Sequence, residues 1–167
     1  MEGTVPPPRT PEQDDLVRLC AALNTEDAQY IVIGGMAMNR HGMLRATEDI
    51  NLLLEKSRDN QRRVRKALEI LPDKAIREVE DNDLDEFSVV RVADEIVIDL
   101  MLSACGITYA EAANEIETEE VQGVSIPFAS PRLMLRLKQT YRDRDIVDRL
   151  PRAKNTALSL VSLVSTN

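Results

Sequence analysis

A chain of 167 residues is long enough for one domain with a real core and too short for two ordinary ones. Its 43% hydrophobic and 30% charged residues are a soluble, globular composition, and no apolar run approaches the length of a bilayer span. A net charge of -8 argues against a general nucleic-acid coat, whose nonspecific affinity comes from neutralised phosphates.

The start, "MEGTVPPPRTPEQDD", is acidic and Pro-rich with no apolar centre, so it reads as a loose arm over 1–10 rather than a signal peptide. A single domain over 11–167 follows. "PEQDDLVRLCAALNTEDA" predicts a helix, with Leu16, Leu19, Cys20 and Leu23 on one stripe and acids near its start. "YIVIGG" is a short buried strand stopped by glycines, and "MAMNRHG" a short helix closed by Gly42. "EDINLLLE" is a strand. "SRDNQRRVRKALEIL" is a helix capped by Ser57 and ended by Pro72. "KAIREVE" and "EFSVVRV" predict strands separated by an acidic turn, and "DEIVIDLML" a strand rich in β-branched residues. "TYAEAANE" is helix-like, and "EIETEEVQGVSIPFA" a hairpin. "SPRLMLRLKQTYRDRDIVDRLPRAKN" is helical from about residue 130, with Ser130 as cap and Pro131 in the first turn. This order predicts an α+β (α/β-like) domain on one mixed sheet with flanking helices and a helical C-terminal segment.

Strand parity then gathers the acids. In "EDINLLL", Asp49, Asn51 and Leu53 share one face and Ile50, Leu52 and Leu54 the other. In "DEIVIDLML", Val97, Asp99 and Met101 oppose Ile96, Ile98, Leu100 and Leu102. If the two strands are neighbours, Asp49, Asn51 and Asp99 converge. Clustered carboxylates need a counter-ion, and oxygen donors without His or Cys point to a hard cation such as Mg²⁺ or Mn²⁺. Gly34-Gly35, at a strand-to-helix junction, lets the backbone turn tightly and lets a phosphate approach closely, although a plain turn is the simpler account of two glycines.

Other features read as structural. "RRVRK", residues 62–66, is the one basic cluster, and a solvated helix face explains it. His41 is the only histidine and suits packing or capping. Cys20 and Cys105 lack paired or metal-type spacing, which fits reduced thiols in the cytoplasm.

The glycine pair, the short helix and the Asp-hydrophobic-acid pattern together resemble the nucleotidyltransferases of the DNA polymerase beta superfamily. "VIGGMAMNRHGMLRATEDINLLL" is most similar to stand-alone bacterial members that include abortive-infection toxins of toxin–antitoxin pairs. "EIVIDLM" resembles the strand of the third acid, and "IPFASPRLMLRLKQTYRDRDIVD" the later segment carrying a lysine and then an aspartate. The resemblance runs from about Tyr30 to about Leu150. It implies a nucleotidyltransferase fold and transfer of a nucleotide from a nucleoside triphosphate (ATP or another NTP) to a hydroxyl, with metal held by Asp49, Asn51 and Asp99. It implies triphosphate binding by Gly34 and Gly35, with Arg45 and Thr47 on phosphate oxygens. Lys138 takes a phosphate-pairing place and Asp145 lies near it, a surface ion pair being the plainer account. The implied acceptor is tRNA or a protein, with an antitoxin protein as possible partner and no membrane. Antibiotic nucleotidylation and a non-catalytic interaction module on the same fold are the alternatives.

Position 51 departs from the pattern, which expects Asp or Glu there. The amide of Asn51 keeps the shape and one carbonyl oxygen but brings no charge. An engineered silencing, a natural loss of activity, or a tolerated variant with one metal each accounts for it. The other positions of the pattern are intact, which favours an enzyme framework that is silenced or slow.

Overall fold

The computed structural model describes residues 6–43, 46–137 and the strand Val161–Ser165. Helix α1 (Gln13–Thr25) opens where the Asp15 carboxylate accepts from the Glu12 N–H at 2.7 Å. It buries Leu16, Leu19, Cys20 and Leu23, the stripe expected from the sequence. Strand β1 (Tyr30–Ile33) leads directly into helix α2 (Gly34–Arg40), which begins at the first glycine rather than after the pair. Strand β2 (Asp49–Leu54) returns antiparallel to β1. Helix α3 (Arg58–Leu68) is capped by Ser57, whose hydroxyl accepts from the Asn60 N–H. The buried Asn60 amide fastens α3 to the ends of β1 and β2, accepting from Gln29 N–H and donating to the carbonyls of Gln29 and Glu55.

The segment "KAIREVE" is not a strand. Residues Ala75–Glu78 form a 3₁₀ turn, entered through left-handed Lys74 (φ 53°). The buried Asp94 carboxylate accepts from the N–H groups of Asp73 and Ala75, which would otherwise serve a ladder. Ile76 and Val79, three apart, bury together, a helical rather than an alternating spacing. A short helical turn, α4 (Asp83–Glu86), stands where the acidic turn was expected.

Strand β3 (Phe87–Ala93) and strand β4 (Val97–Met101) form a hairpin around Asp94–Ile96. A small hairpin follows, β5 (Ser103–Ala104) with β6 (Ile107–Thr108), and then helix α5 (Tyr109–Ala112). Strands β7 (Ile116–Val121) and β8 (Val124–Ala129) make the expected second large hairpin, turned by Gln122 and Gly123 at φ 52° and 80°. Ser130 caps the helix over 131–137 through its hydroxyl, which accepts from the Leu133 N–H at 3.1 Å. Strand β9 (Val161–Ser165), which the sequence pattern does not signal, pairs with β3.

The seven-stranded sheet has the order β7-β8-β1-β2-β4-β3-β9, with β1–β8 and β2–β4 parallel and the other pairs antiparallel. One face, with Val32, Ile50, Leu52, Leu54, Ile98, Leu100, Val90 and Val92, is wholly buried. The opposite face is closed at Ile31, Leu53 and Met101 and opens towards Asp49, Val97 and Arg91. The basic run of α3 is met by acids, with Arg62 on Asp59, Arg65 on Asp81 and Lys66 on Glu26. It is a solvated helix face paired with acids of α3 itself and of neighbouring segments. Among the described residues no helix is long and apolar enough to cross a membrane.

Candidate functional site

The open end of that face is where the chemistry-bearing residues meet. Because β1 and β2 are antiparallel, the last residue of β1, Ile33, stands opposite Asn51. The glycine turn after β1 therefore lies beside the start of β2. Because β2 and β4 are parallel, Asn51 pairs in register with Asp99, while Asp49, two residues earlier, points to the same side. The hairpin loop Asp94–Ile96 sets the register of β3 on β4, which puts Arg91 opposite Asp99. Asn51, Asp99 and Arg91 thus form a row across three adjacent strands.

Arg91 is the residue that sequence reasoning missed. Its Nε donates to Asp99 Oδ1 at 2.9 Å and its Nη2 to Asp99 Oδ2 at 3.0 Å, a two-pronged pair. The same Nη2 also donates to Asp49 Oδ2 at 3.2 Å. A signal was present in the sequence. Any hairpin turning at Asp94–Ile96 pairs Arg91 with Asp99, and two acids without a third partner call for a cation.

The site is asymmetric in exposure. The Asp99 side chain is 8% exposed, Asp49 25% and Arg91 47%. Burial and the neighbouring Asp99 carboxylate push the Asp49 carboxyl up to about 6, against the lowering pull of Arg91. The Asp99 fork holds the Arg91 guanidinium above its ordinary range.

Asn51 Oδ1 is buried and has no hydrogen-bond partner. Such an orphan costs about 1–3 kcal/mol. The amide side presses on the glycine turn: a Cβ on Gly34 would stand 2.3 Å from Asn51 Nδ2, and Gly34 is left-handed at φ 72°. A Cβ on Gly35 would stand 2.8 Å from the Thr47 side chain. Both glycines are thus required by close approach to β2 and the residues just before it, whatever else they contact. Thr47 spends its hydroxyl proton on the Asp49 carbonyl at 2.8 Å, leaving the oxygen's acceptor capacity.

The structure brings Gly34, Gly35, Thr47, Asp49, Asn51 and Asp99 to one end of the sheet. Arg45, Lys138 and Asp145 lie outside the described residues. His41 stands at the end of α2, and its Nε2 donates to the Ala129 carbonyl at 2.8 Å, a packing and bridging role. A pocket of about 390 Å³ adjoins Thr47, between α2 and the start of α1, lined by Thr10, Leu16, Met36, Asn39, Arg40 and Phe128 among others.

Among the described residues no group of three or more His, Cys, Asp or Glu side chains is arranged to hold a metal ion. A divalent cation here would rest on Asp49, Asp99 and the amide oxygen of Asn51. The donor chemistry fits one hard cation: the two carboxylate groups of Asp49 and Asp99, and the unpartnered buried oxygen of Asn51, in register with Asp99. Charge for a second cation is short by one carboxylate.

No family model and no curated protein matches the chain. Among solved structures, the crystal structure of a proposed nucleotidyltransferase from Thermotoga maritima matches at a TM-score of 0.59 and 12% identity, covering 84% of this chain and 92% of that one. At that identity the likeness shows the fold. The chain is a mixed-sheet α+β protein with flanking helices that shares the fold of that structure.

Proposed function

We propose that the protein binds a nucleoside triphosphate with Mg²⁺ or Mn²⁺ and transfers its nucleoside monophosphate to a hydroxyl of a macromolecule, slowly because position 51 lacks a charge. The observation that carries this reading is the convergence of Asp49, Asn51 and Asp99 beside the Gly34-Gly35 turn, by strand register alone. A bound cation would neutralise phosphate charge and assist the attacking or leaving oxygen. The chain's own contribution is positional. Asp49 and Asp99 supply the charged oxygens, and Asn51 a neutral one. Gly34 and Gly35 let the turn lie close against Asn51 and Thr47, where its backbone N–H groups are the proposed triphosphate contacts, and the pocket beside Thr47 has room for a nucleoside. Arg45 and Lys138 are proposed phosphate contacts, and Asp145 a further member of the site, as the sequence resemblance implies. The acceptor (tRNA or protein) and a toxin-like role held in check by an antitoxin follow the sequence resemblance.

A non-catalytic binding module is the second reading. Asn51 and the Arg91 pairing favour it, since together they leave less net negative charge than two metals require. One experiment separates the two. The melting temperature is measured with each NTP and Mn²⁺, and radiolabelled NTP is followed into tRNA and into cell-extract protein, for the wild type and Asn51→Asp. The enzyme reading expects a thermal shift and label transfer that rises in the variant. A thermal shift without transfer in either protein selects the binding module. No shift with any NTP in either protein refutes both.

A further inference from the structure

We infer that Arg91 is a positioning residue that serves as the resident counter-ion of the Asp49–Asp99 pair and competes with a divalent cation for Asp49. The inference rests on the cation reading proposed above and goes beyond it by assigning what sets the cation affinity. Three observations carry it. The guanidinium uses two nitrogens on Asp99 but only one on Asp49, and that one, Nη2, is shared between both carboxylates. Nη2 therefore stands between Asp49 Oδ2 and Asp99 Oδ2, where a cation bridging the two acids would have to bind. Exposure grades the bonds: the two bonds to Asp99 are part-buried, whereas the bond to Asp49 is exposed. The contact to Asp49 is also the longest of the three, at 3.2 Å. Rotation of Nη2 away from Asp49 can keep the Nε bond to Asp99, so the latch opens at one end while Arg91 stays in the row.

The neutral Asn51 fits the same scheme. With two carboxylates and one guanidinium these groups carry one net negative charge, half of what the two acids carry alone. An incoming dication meets the guanidinium charge at close range as well as the acids.

The test is Mn²⁺ binding to the full chain, followed by electron paramagnetic resonance of the free ion, in wild type, Arg91→Gln and Arg91→Lys. Melting temperature is measured in chelator and in Mn²⁺. Removal of the guanidinium is expected to tighten Mn²⁺ by about tenfold or more, because a half-exposed like charge at this range costs on the order of 1–2 kcal/mol. In chelator the melting temperature of Arg91→Gln is expected to fall, since two acids lose their counter-ion, and Mn²⁺ is expected to restore it. Arg91→Lys keeps the charge without the fork and is expected to bind between the other two, which preserves the test if Arg91→Gln does not fold. Unchanged or weaker Mn²⁺ binding in both variants, with binding in the wild type, overturns the competition alone. Weaker NTP binding with unchanged Mn²⁺ affinity also overturns it and makes Arg91 a phosphate ligand. No Mn²⁺ binding in any of the three proteins overturns the competition together with the cation reading.

Discussion

Replacing Asn51 by Asp should make the protein less stable without a divalent cation and more stable and more active with one. The substitution changes volume very little, and Ile50 and Leu52 point to the opposite, buried face. A carboxylate at position 51 would stand in register with Asp99 on the neighbouring strand, about 5 Å away by ordinary sheet spacing. At an effective dielectric near 20, two like charges at that distance repel by roughly 3 kcal/mol, and partial exposure reduces this to about 1–3 kcal/mol. Arg91 is already committed to Asp99, so it offsets little of the cost. In chelator the melting temperature is therefore expected to drop by several degrees, taking about 2–8 °C per kcal/mol across domain sizes. Mn²⁺ should reverse the drop, since the orphaned oxygen of Asn51 would become a charged ligand. Label transfer from NTP should rise by about 10²–10³, the usual worth of one preorganised charge-stabilising group. Differential scanning fluorimetry with and without Mn²⁺ reads the first two effects, and the transfer assay the third. An unchanged or raised melting temperature in chelator, with no added dependence on Mn²⁺, would refute the placement of position 51 in the acid cluster.

Gly34→Ala should destabilise by about 2–4 kcal/mol, combining left-handed backbone strain with displacement of Asn51, and should abolish any NTP-induced thermal shift. Gly35→Ala lacks the backbone strain and meets only the Thr47 side chain, so its loss in chemical denaturation should be clearly smaller. At the other end of the molecule, Arg9 beside Asp15 holds that carboxyl below its ordinary value of 3.8. A depressed folded-state value means stability present above the ordinary value and lost as pH falls through the folded one. Arg9→Met should thus destabilise the protein at neutral pH, with the gap from wild type closing as the pH falls below 3.8 in acid-unfolding curves.

Most of the site was legible because its parts follow two simple rules. Alternation places Asp49 with Asn51 and Asp99 opposite Ile98 and Leu100, and glycine pairs mark close approach. Neither rule fixes which strands are neighbours, so the meeting of Asn51 with Asp99 needed the parallel β2–β4 pairing. Arg91 escaped because one arginine in "FSVVRVA" resembles any solvent-facing residue of an amphipathic strand. Its meaning depends on the hairpin register. The segment around Ile76 failed as a strand because the Ala75 N–H and, just before it, the Asp73 N–H are taken by Asp94, a carboxylate about twenty positions away that no local pattern reveals, and the next N–H groups close a turn. The apolar stripe of α1 and the Ser57 cap of α3 succeeded because periodicity and capping are both local.

The site is built from two halves that each form locally. One is the β1–α2–β2 unit, carrying the glycine turn, Asp49 and Asn51. The other is the β3–β4 hairpin, carrying Arg91 and Asp99. They join through a single parallel strand pairing between segments far apart in the chain, the kind of contact that forms late in folding. The Arg91 bond to Asp49 crosses that seam, and so would any ligand that spans both acids. Occupancy of the site is then a clasp on the sheet: what is bound there ties the two halves together at the open end of the β2–β4 seam.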